Sequence, residues 1–462
     1  NCADDSQKNN GRRLRKHWKE LTGDEQENLI KAIEASIESG QFAAFSRYHA
    51  DRRSAFQSHA TCAFALWHRR FLLAMENMLR STSPTASCVT IPYWDISADF
   101  QRQSTGLCFS FASCAPGLFD VLLGGVPGLF VHDNDGSIAS SADQAEEGRF
   151  YLGSFAMTGL PIRGRPVANI TDDRGRRGIV RNDIFDVPIP ESADAQQQLG
   201  PLIRSATGDT STTAVSPYSL FADFTRILQE EVHDDVHNSI GGVMPTYVST
   251  LDPAFMIWHS TVDWYMSLWE TCHSAQPRTT VKMGEACMER AIPEEFREEN
   301  ADPREPPPED PPEGVAFLPG EEDIMIMQLR NGNDIREDEL IGRYFQDIGL
   351  VFEEVADTRS LDADNAFLYQ VVIESTRESD NAVKPSSGSL WEATLALTTE
   401  QDVCVATERN PSILGRDFEI IRRAPNTVGA PTYPYADLEA SIAQWLALIF
   451  PLEEADEDRA TL

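Results

Sequence analysis

Basic residues are scarce in this chain: 39 Lys and Arg stand against 73 Asp and Glu, a formal net charge of −34 over 462 residues. Nucleic acids and anionic membrane surfaces are polyanions, so this balance argues against both as partners. No apolar run is long enough to span a bilayer, and there is no internal repeat. Cysteine is sparse as well. The eight residues Cys2, Cys62, Cys88, Cys108, Cys114, Cys272, Cys287 and Cys404 form an even set, compatible with disulfides and an oxidising compartment. Cys108–Cys114 and Cys272–Cys287 are spaced to close local loops, although spacing cannot fix connectivity. The chain starts at NCADDSQ, with neither an initiator Met nor a signal peptide, as a processed secreted protein would. Asn169-Ile170-Thr171 is a glycosylation sequon, relevant only in a eukaryotic source.

Histidine is among the scarcest residue types, nine in all, yet six fall into two sets of three. His49, His59 and His68 make the first, His233, His237 and His259 the second. Few histidines concentrated in two helix-flanked clusters point to metal sites. His233 and His237 are four apart, so on a helix both imidazoles project from one face. Leu220, Phe221, Phe224, Ile227, Leu228, Val236 and Ile240 supply the apolar stripe of that helix, and Gly241-Gly242 supplies its stop. His259 belongs to the next helix, where Asp252 is a natural N-cap and Pro253 suits the first position.

The first set follows a different geometry. His59 and His68 are nine positions apart, and on one straight helix they would point in opposite directions. They can share an ion only if His59 lies in or before the turn leading into the helix that carries His68. That helix is marked by Phe64, Trp67, Phe71, Leu72, Met75, Met78 and Leu79, interrupted by Arg69, Arg70 and Glu76. His49 follows a separate amphipathic stretch, Leu29 to Phe45, and arrives from an adjacent helix. The reading is a helical bundle whose core carries metal.

Three neutral imidazoles per ion, with no thiolate or carboxylate, suit zinc, copper or iron. A carboxylate-bridged di-iron site needs Glu-x-x-His on facing helices; Glu230 and His233 make one such pair and the first cluster offers no second. The zincin H-E-x-x-H pattern is absent, because Asp234 follows His233.

The segments HRRFLLAMENMLR, IPYWDIS, HDDVHNSIGG and DPAFMIWHSTVDWYMSLW, in this order, resemble the central domain of the type 3 copper proteins: tyrosinases, catechol oxidases and molluscan haemocyanins. The resemblance runs from about Gly40 to Thr271. It implies two copper ions, one on His49, His59 and His68 and the other on His233, His237 and His259, with dioxygen as co-substrate. The implied reaction is oxidation of o-diphenols (catechols) to o-quinones, on a small phenolic substrate. A full tyrosinase with monophenolase activity and a haemocyanin-like oxygen carrier are the alternatives, and a single copper unit without tandem copies counts against the carrier. Trp258 departs from the many members that carry histidine just before the third ligand of the second site, but His259 itself matches.

Family members that hydroxylate monophenols are thought to hold a water between a Glu and an Asn near the second copper. Glu230 is the candidate Glu, and Asp234 stands where that arrangement wants Asn. Two carboxylates share such a water less well, since one tends to take up a proton. The expectation is therefore catechol oxidation with weak or absent monophenol hydroxylation, with Glu230 and Asp234 as catalytic candidates. Asn238, Tyr247 and Phe255 are the candidate substrate-pocket residues, Tyr247 narrowing the copper entrance. Asp263, Arg69 and Arg70 are candidates for orienting the ligands, an ordinary inter-helix ion pair being the equal alternative. Several family branches crosslink a site histidine to an upstream cysteine. Here Gln57 precedes His59 by two and Cys2 is the only upstream cysteine, so that crosslink is absent and Cys62 is a buried thiol or disulfide partner.

The organisation expected is α+β: a mainly helical copper domain on a four-helix bundle with long loops (1–292), an acidic Pro-rich linker (293–313), and a smaller β-rich domain ending in a helix (314–462). The linker PEEFREENADPREPPPEDPPE carries almost no apolar residue and cannot bury a core. Residues 99–217, dense in Gly, Pro, Asp and Ser, read as loops over the bundle. Beyond the linker, DIMIMQL, DIGLVFEEV, FLYQVVIES, LWEATLALT and FEIIRRA are β-prone runs, and YADLEASIAQWLALIF is an amphipathic helix. In this family such a domain often covers the copper pocket; a lid and a stabilising module are both open readings.

Overall fold

The computed structural model describes residues 11–126 (without 60 and 124), 152–153, 181, 187–204, 217–273 (without 242), 323–374 (without 330, 359–360 and 363) and 418–423. The linker, the sequon, the run LWEATLALT, the terminal amphipathic helix and the Cys272–Cys287 pairing lie outside them. The described residues are mostly helical. β1 (Arg13–Arg15) leads into α1 (Gly23–Glu38), α2 (Gln41–His49), α3 (Arg52–Ser58), α4 (Phe64–Ser81) and α5 (Ile96–Ser104). Further on come α6 (Pro217–Arg226), a π-helical segment (Ile227–His233), α7 (Asp234–Ile240) and α8 (Ala254–His273). After the linker follow α9 (Phe352–Ala356), β2 (Phe367–Glu374) and β3 (Phe418–Arg423).

Local signals account for most of these boundaries. Thr22 and Glu25 form a reciprocal capping box at the start of α1. The amphipathic stretch from Leu29 to Phe45 is not one helix: Gly40 at φ 78° turns the chain between α1 and α2, a conformation other residues adopt only with strain. The Asp252 carboxylate accepts from the Ala254 amide at 2.8 Å and caps α8, which starts one residue after Pro253. Gly241, at φ 71°, ends α7.

α4 is buried over nearly its whole circumference and packs along α8. Arg69, Arg70 and Glu76 are inside with the apolar residues, and each has partners there. Arg13 and Arg15 reach Glu76 at 2.8 and 3.1 Å, and Arg15 also reaches Asp263 on α8 at 3.1 Å. Arg69 pairs with Asp263 and with Glu270, the latter at 3.0 Å. The hydroxyl of Tyr369 on β2 donates to Asp263 at 2.7 Å. Arg15 lies over the Phe367 ring, 3.9 Å from its centre. For Arg69 and Asp263 the inter-helix ion pair is what the structure shows. Arg70 donates to the Gly349 carbonyl at 2.7 Å, and burial pulls its pKa down to about 10.

Residues 323–374 pack into the same core as the helices. β2 pairs in parallel with β1 on one side, Arg13 opposite Phe367, and with β3 on the other, Tyr369 opposite Phe418. Two expected strands are absent. Residues 323–329 make only isolated bridges, because side chains of the helices take their backbone groups. Trp67 donates to the Ile326 carbonyl at 2.8 Å, and Gln57 both accepts from the Ile326 amide at 2.6 Å and donates to the Ile324 carbonyl at 3.2 Å. In 347–355, Glu354 accepts from the Leu350 and Val351 amides at 2.6 and 3.2 Å and opens the short helix α9 instead. Cys108 and Cys114 are disulfide-bonded, as their spacing suggests, and Cys62 and Cys88 are also in disulfides. Among the described residues, no helix is long and apolar enough to cross a membrane.

Two outcomes follow from this packing. Burial alone would raise the Glu76 pKa, but Arg15 and Arg13 beside it hold it down at about 2. A depressed folded pKa contributes stability above the unfolded value of about 4.3, lost as pH falls towards the folded one. Glu76→Gln should therefore cost about 3 kcal/mol at pH 7. In urea titrations its deficit against wild type should close between about pH 4.3 and about pH 2; equal stability at pH 7 would contradict the ion-pair account. Separately, a protease nick anywhere in 293–313 should leave the two pieces eluting together in gel filtration until denaturant is added. Pieces that separate in native buffer would show that the contacts of 323–374 do not hold.

Candidate dinuclear metal centre

His49 is the last residue of α2, His68 lies in the second turn of α4, and His59 sits between α3 and α4. The rotation argument is met: His59 caps the end of α3 in extended backbone (φ −131°, ψ 151°), off the helix that carries His68. His233 closes the π-helical segment, His237 is on α7 and His259 on α8. Within each triad the candidate ligand nitrogens lie within 4.8 Å of one another. The triads also face each other, since His68 and His259 stack with ring centres 4.3 Å apart.

The outer nitrogens define the tautomers. His49 Nδ1 meets the Tyr247 carbonyl at 2.7 Å, His68 Nδ1 the Phe64 carbonyl at 2.8 Å, and His237 Nδ1 the Met244 carbonyl at 2.6 Å. A carbonyl only accepts, so each of these Nδ1 atoms carries the proton and each Nε2 a lone pair. His49 Nε2 and His68 Nε2 nevertheless stand 3.3 Å apart, two lone pairs that cannot bond each other. A cation between them resolves that juxtaposition. His237 Nε2 is likewise buried without a hydrogen-bond partner. The donor set therefore fits two metal ions, each taking three imidazole nitrogens.

Burial also keeps the ligands in the neutral form that coordinates. It pulls His49 down to about 4, and pushes His59, His68, His237 and His259 well below the ordinary range, with neighbouring imidazoles adding to the effect. Two phenylalanines wall the centre on both sides. Phe255 packs on His259 at 4.1 Å and on His49 at 5.2 Å, and Phe64 on His68 at 4.7 Å and His233 at 4.8 Å. Phe64 had not been picked out as a site residue. Its signal is its place four residues before His68, the same offset as Phe255 before His259.

The other candidates divide. Tyr247 lies edge-on to His59 at 5.3 Å and is 40% exposed, at the mouth of the first triad. Asp234 accepts from His233 Nδ1 at 2.7 Å, so its carboxylate engages the ligand beside it. Glu230 lies 3.8 Å from Arg226 on the π-helical segment, whose wider turn carries it further from the His233 face than an α-helix would. Asn238 is exposed on α7 next to His237. Trp258 is buried and donates to the His233 carbonyl at 3.4 Å, filling the position beside His259 without disturbing the triad.

The common central domain of tyrosinase matches residues 39–272. Tyrosinase of Streptomyces glaucescens is 28% identical over 276 residues, which cover 56% of this chain and 83% of that protein. For tyrosinase of Streptomyces antibioticus the identity is 25% over 275 residues, covering 57% and 85%. Grixazone synthase of Streptomyces griseus subsp. griseus is 22% identical over 292 residues, covering 57% and 86%.

Replacing His68 or His259 with Ala leaves one triad with two ligands. Metal analysis after copper loading should find two ions per wild-type chain and one in each variant. Unchanged stoichiometry in both would show that copper binds elsewhere.

Proposed function

The chain belongs to the tyrosinase family, and from that premise we propose that it oxidises o-diphenols (catechols) to o-quinones with dioxygen at a dicopper centre, with weak or absent monophenol hydroxylation. The observation that carries this reading is the pair of facing three-histidine sets whose Nε2 lone pairs converge. When bound, two copper ions supply the redox chemistry, with dioxygen as the electron acceptor. Two catechols give up two electrons and two protons each, and one dioxygen leaves as two waters. The chain's own part is to hold and shield. Carbonyls of Phe64, Tyr247 and Met244 fix three imidazoles in the coordinating tautomer. Phe64 and Phe255 flank the rings, and the partial exposure of His59 and Tyr247 supports access for a flat phenol. That opening favours an enzyme over an oxygen carrier closed to phenols.

Asp234 supports the catechol preference. Its carboxylate anchors His233, and a group held there is poorly placed to share a water with Glu230. A catechol needs less help from such a base, because its first hydroxyl is the more acidic and no new C–O bond has to form. The disulfides at Cys62, Cys88 and Cys108–Cys114 support an extracellular location. Catechol turnover before and after nicking separates the two readings of the chain beyond residue 313: a rise marks a lid over the pocket, and no change a stabilising module.

Asp234→Asn keeps an acceptor for His233 Nδ1 and removes the second carboxylate. It should raise the ratio of monophenol to catechol turnover by about tenfold, a fraction of the roughly hundredfold or more that a well-placed general base contributes. Paired assays on a monophenol and its matching catechol check this. A wild-type enzyme that hydroxylates the monophenol without a lag and as fast as it oxidises the catechol would end the catechol-oxidase reading.

A further inference from the structure

His59 is held unlike the other candidate ligands. Its backbone is extended at the end of α3, and it is the only member of either triad that is not fully buried. Its Nδ1 bonds the hydroxyl of Ser58 at 2.8 Å, on the residue next to it, so that bond ties the ring to nothing else in the fold. His49, His68 and His237 instead hold backbone carbonyls, while the fully buried His233 bonds the neighbouring Asp234 and the fully buried His259 has no partner at Nδ1. The peptide around His59 is well anchored, since Gln57 is bonded to both Ile324 and Ile326. Rotation of the imidazole about its own side-chain bonds is what remains unfixed.

Among the described residues four rings face it: His49 at 4.9 Å, His68 and Tyr247 at 5.3 Å, and Phe64 further off at 6.5 Å. His49 and His68 are its fellow ligands and Phe64 is the more distant ring, so Tyr247 is the nearest wall outside the triad. Its ring meets the imidazole edge-on, at 81°, the favoured geometry for an aromatic pair. The same residue's carbonyl accepts from His49 Nδ1 at 2.7 Å.

We propose that Tyr247 is a positioning residue of the first metal site, its ring fixing His59 while its carbonyl fixes His49. One loop residue thus sets two of the three ligands. The inference rests on the dicopper reading and extends it from substrate access to metal affinity. A residue that only narrows the entrance changes KM for bulky phenols. A positioning residue changes how tightly copper is held with no substrate present.

The test is equilibrium copper occupancy of the full chain in a metal buffer, for wild type, Tyr247→Phe and Tyr247→Ala. Equilibrium occupancy does not depend on how open the mouth is. Tyr247→Ala should weaken one of the two ions by about tenfold and leave the other unchanged, as loss of a ligand-orienting contact does. Tyr247→Phe keeps the ring and should bind both ions like wild type. Equal occupancy curves for Tyr247→Ala and wild type overturn the proposal. So does a loss shared equally by both ions, because the ring lies against His59 of the first triad, and so does an equal loss in Tyr247→Phe. Wild type that fails to take up two ions would sink the dicopper reading itself, a result distinct from all of these.

Discussion

Asp263 is the joint on which the arrangement of the metal-bearing helices depends. It lies one turn beyond His259 on α8 and receives Arg15 from β1, Arg69 from α4 and the Tyr369 hydroxyl from β2. Taking those charges out of water costs several kcal/mol per ion, so the tie stabilises only while its partners are all present. That requirement gives it directional force. A hydrophobic contact would let α4 slide along α8, whereas a buried carboxylate shared by two guanidinium groups does not. His68 lies on α4 one residue before Arg69, and His259 lies on α8 four before Asp263. Locking Arg69 to Asp263 therefore fixes how the two stacked imidazoles meet.

The two triads are not equivalent, and the difference lies in what holds the outer nitrogens. In the first, His49 and His68 lean on carbonyls and His59 on a hydroxyl. In the second, His233 leans on the Asp234 carboxylate, His237 on a carbonyl, and His259 Nδ1 is buried with no hydrogen-bond partner. A carboxylate on Nδ1 makes an imidazole a stronger donor than a carbonyl does. Charge and burial thus favour tight holding at the second site, and part exposure makes the first the more adaptable.

Much of the centre was legible because histidine spacing is a geometric statement. The offset of four from His233 to His237 puts both on one face, and the offset of nine from His59 to His68 required the first to leave the helix, as it does. Capping by Asp252 and the stop at Gly241 were equally local. What escaped was set by distant partners. Nothing near Arg13 or Arg15 announces Glu76 and Asp263, although two arginines and a glutamate inside the apolar run of α4 were a sign that buried partners must exist. The run at 323–329 has strand composition, yet Gln57 and Trp67 took the backbone groups a neighbouring strand would have used. Propensity was overridden by side chains more than 250 residues away in the chain. The π-helical turn before His233 also escaped, since an extra residue in a helix leaves the apolar stripe nearly intact.

That dependence on distant partners has a consequence for how the centre assembles. Arg15 and Tyr369 are 354 residues apart in sequence, and β1 pairs with β2 across the same span. The histidines themselves fall between His49 and His259, so every ligand is present well before the strand that locks α4 to α8. Contacts of such separation form late, because closure of the long intervening chain must precede them. Until β2 docks, Arg15 lacks Tyr369, and Asp263 lacks one of the three groups that hold it. Rigid alignment of the two metal sites is therefore a property of the chain through residue 374, and the segment after the proline-rich linker is as much a part of the centre as the helices that carry its ligands.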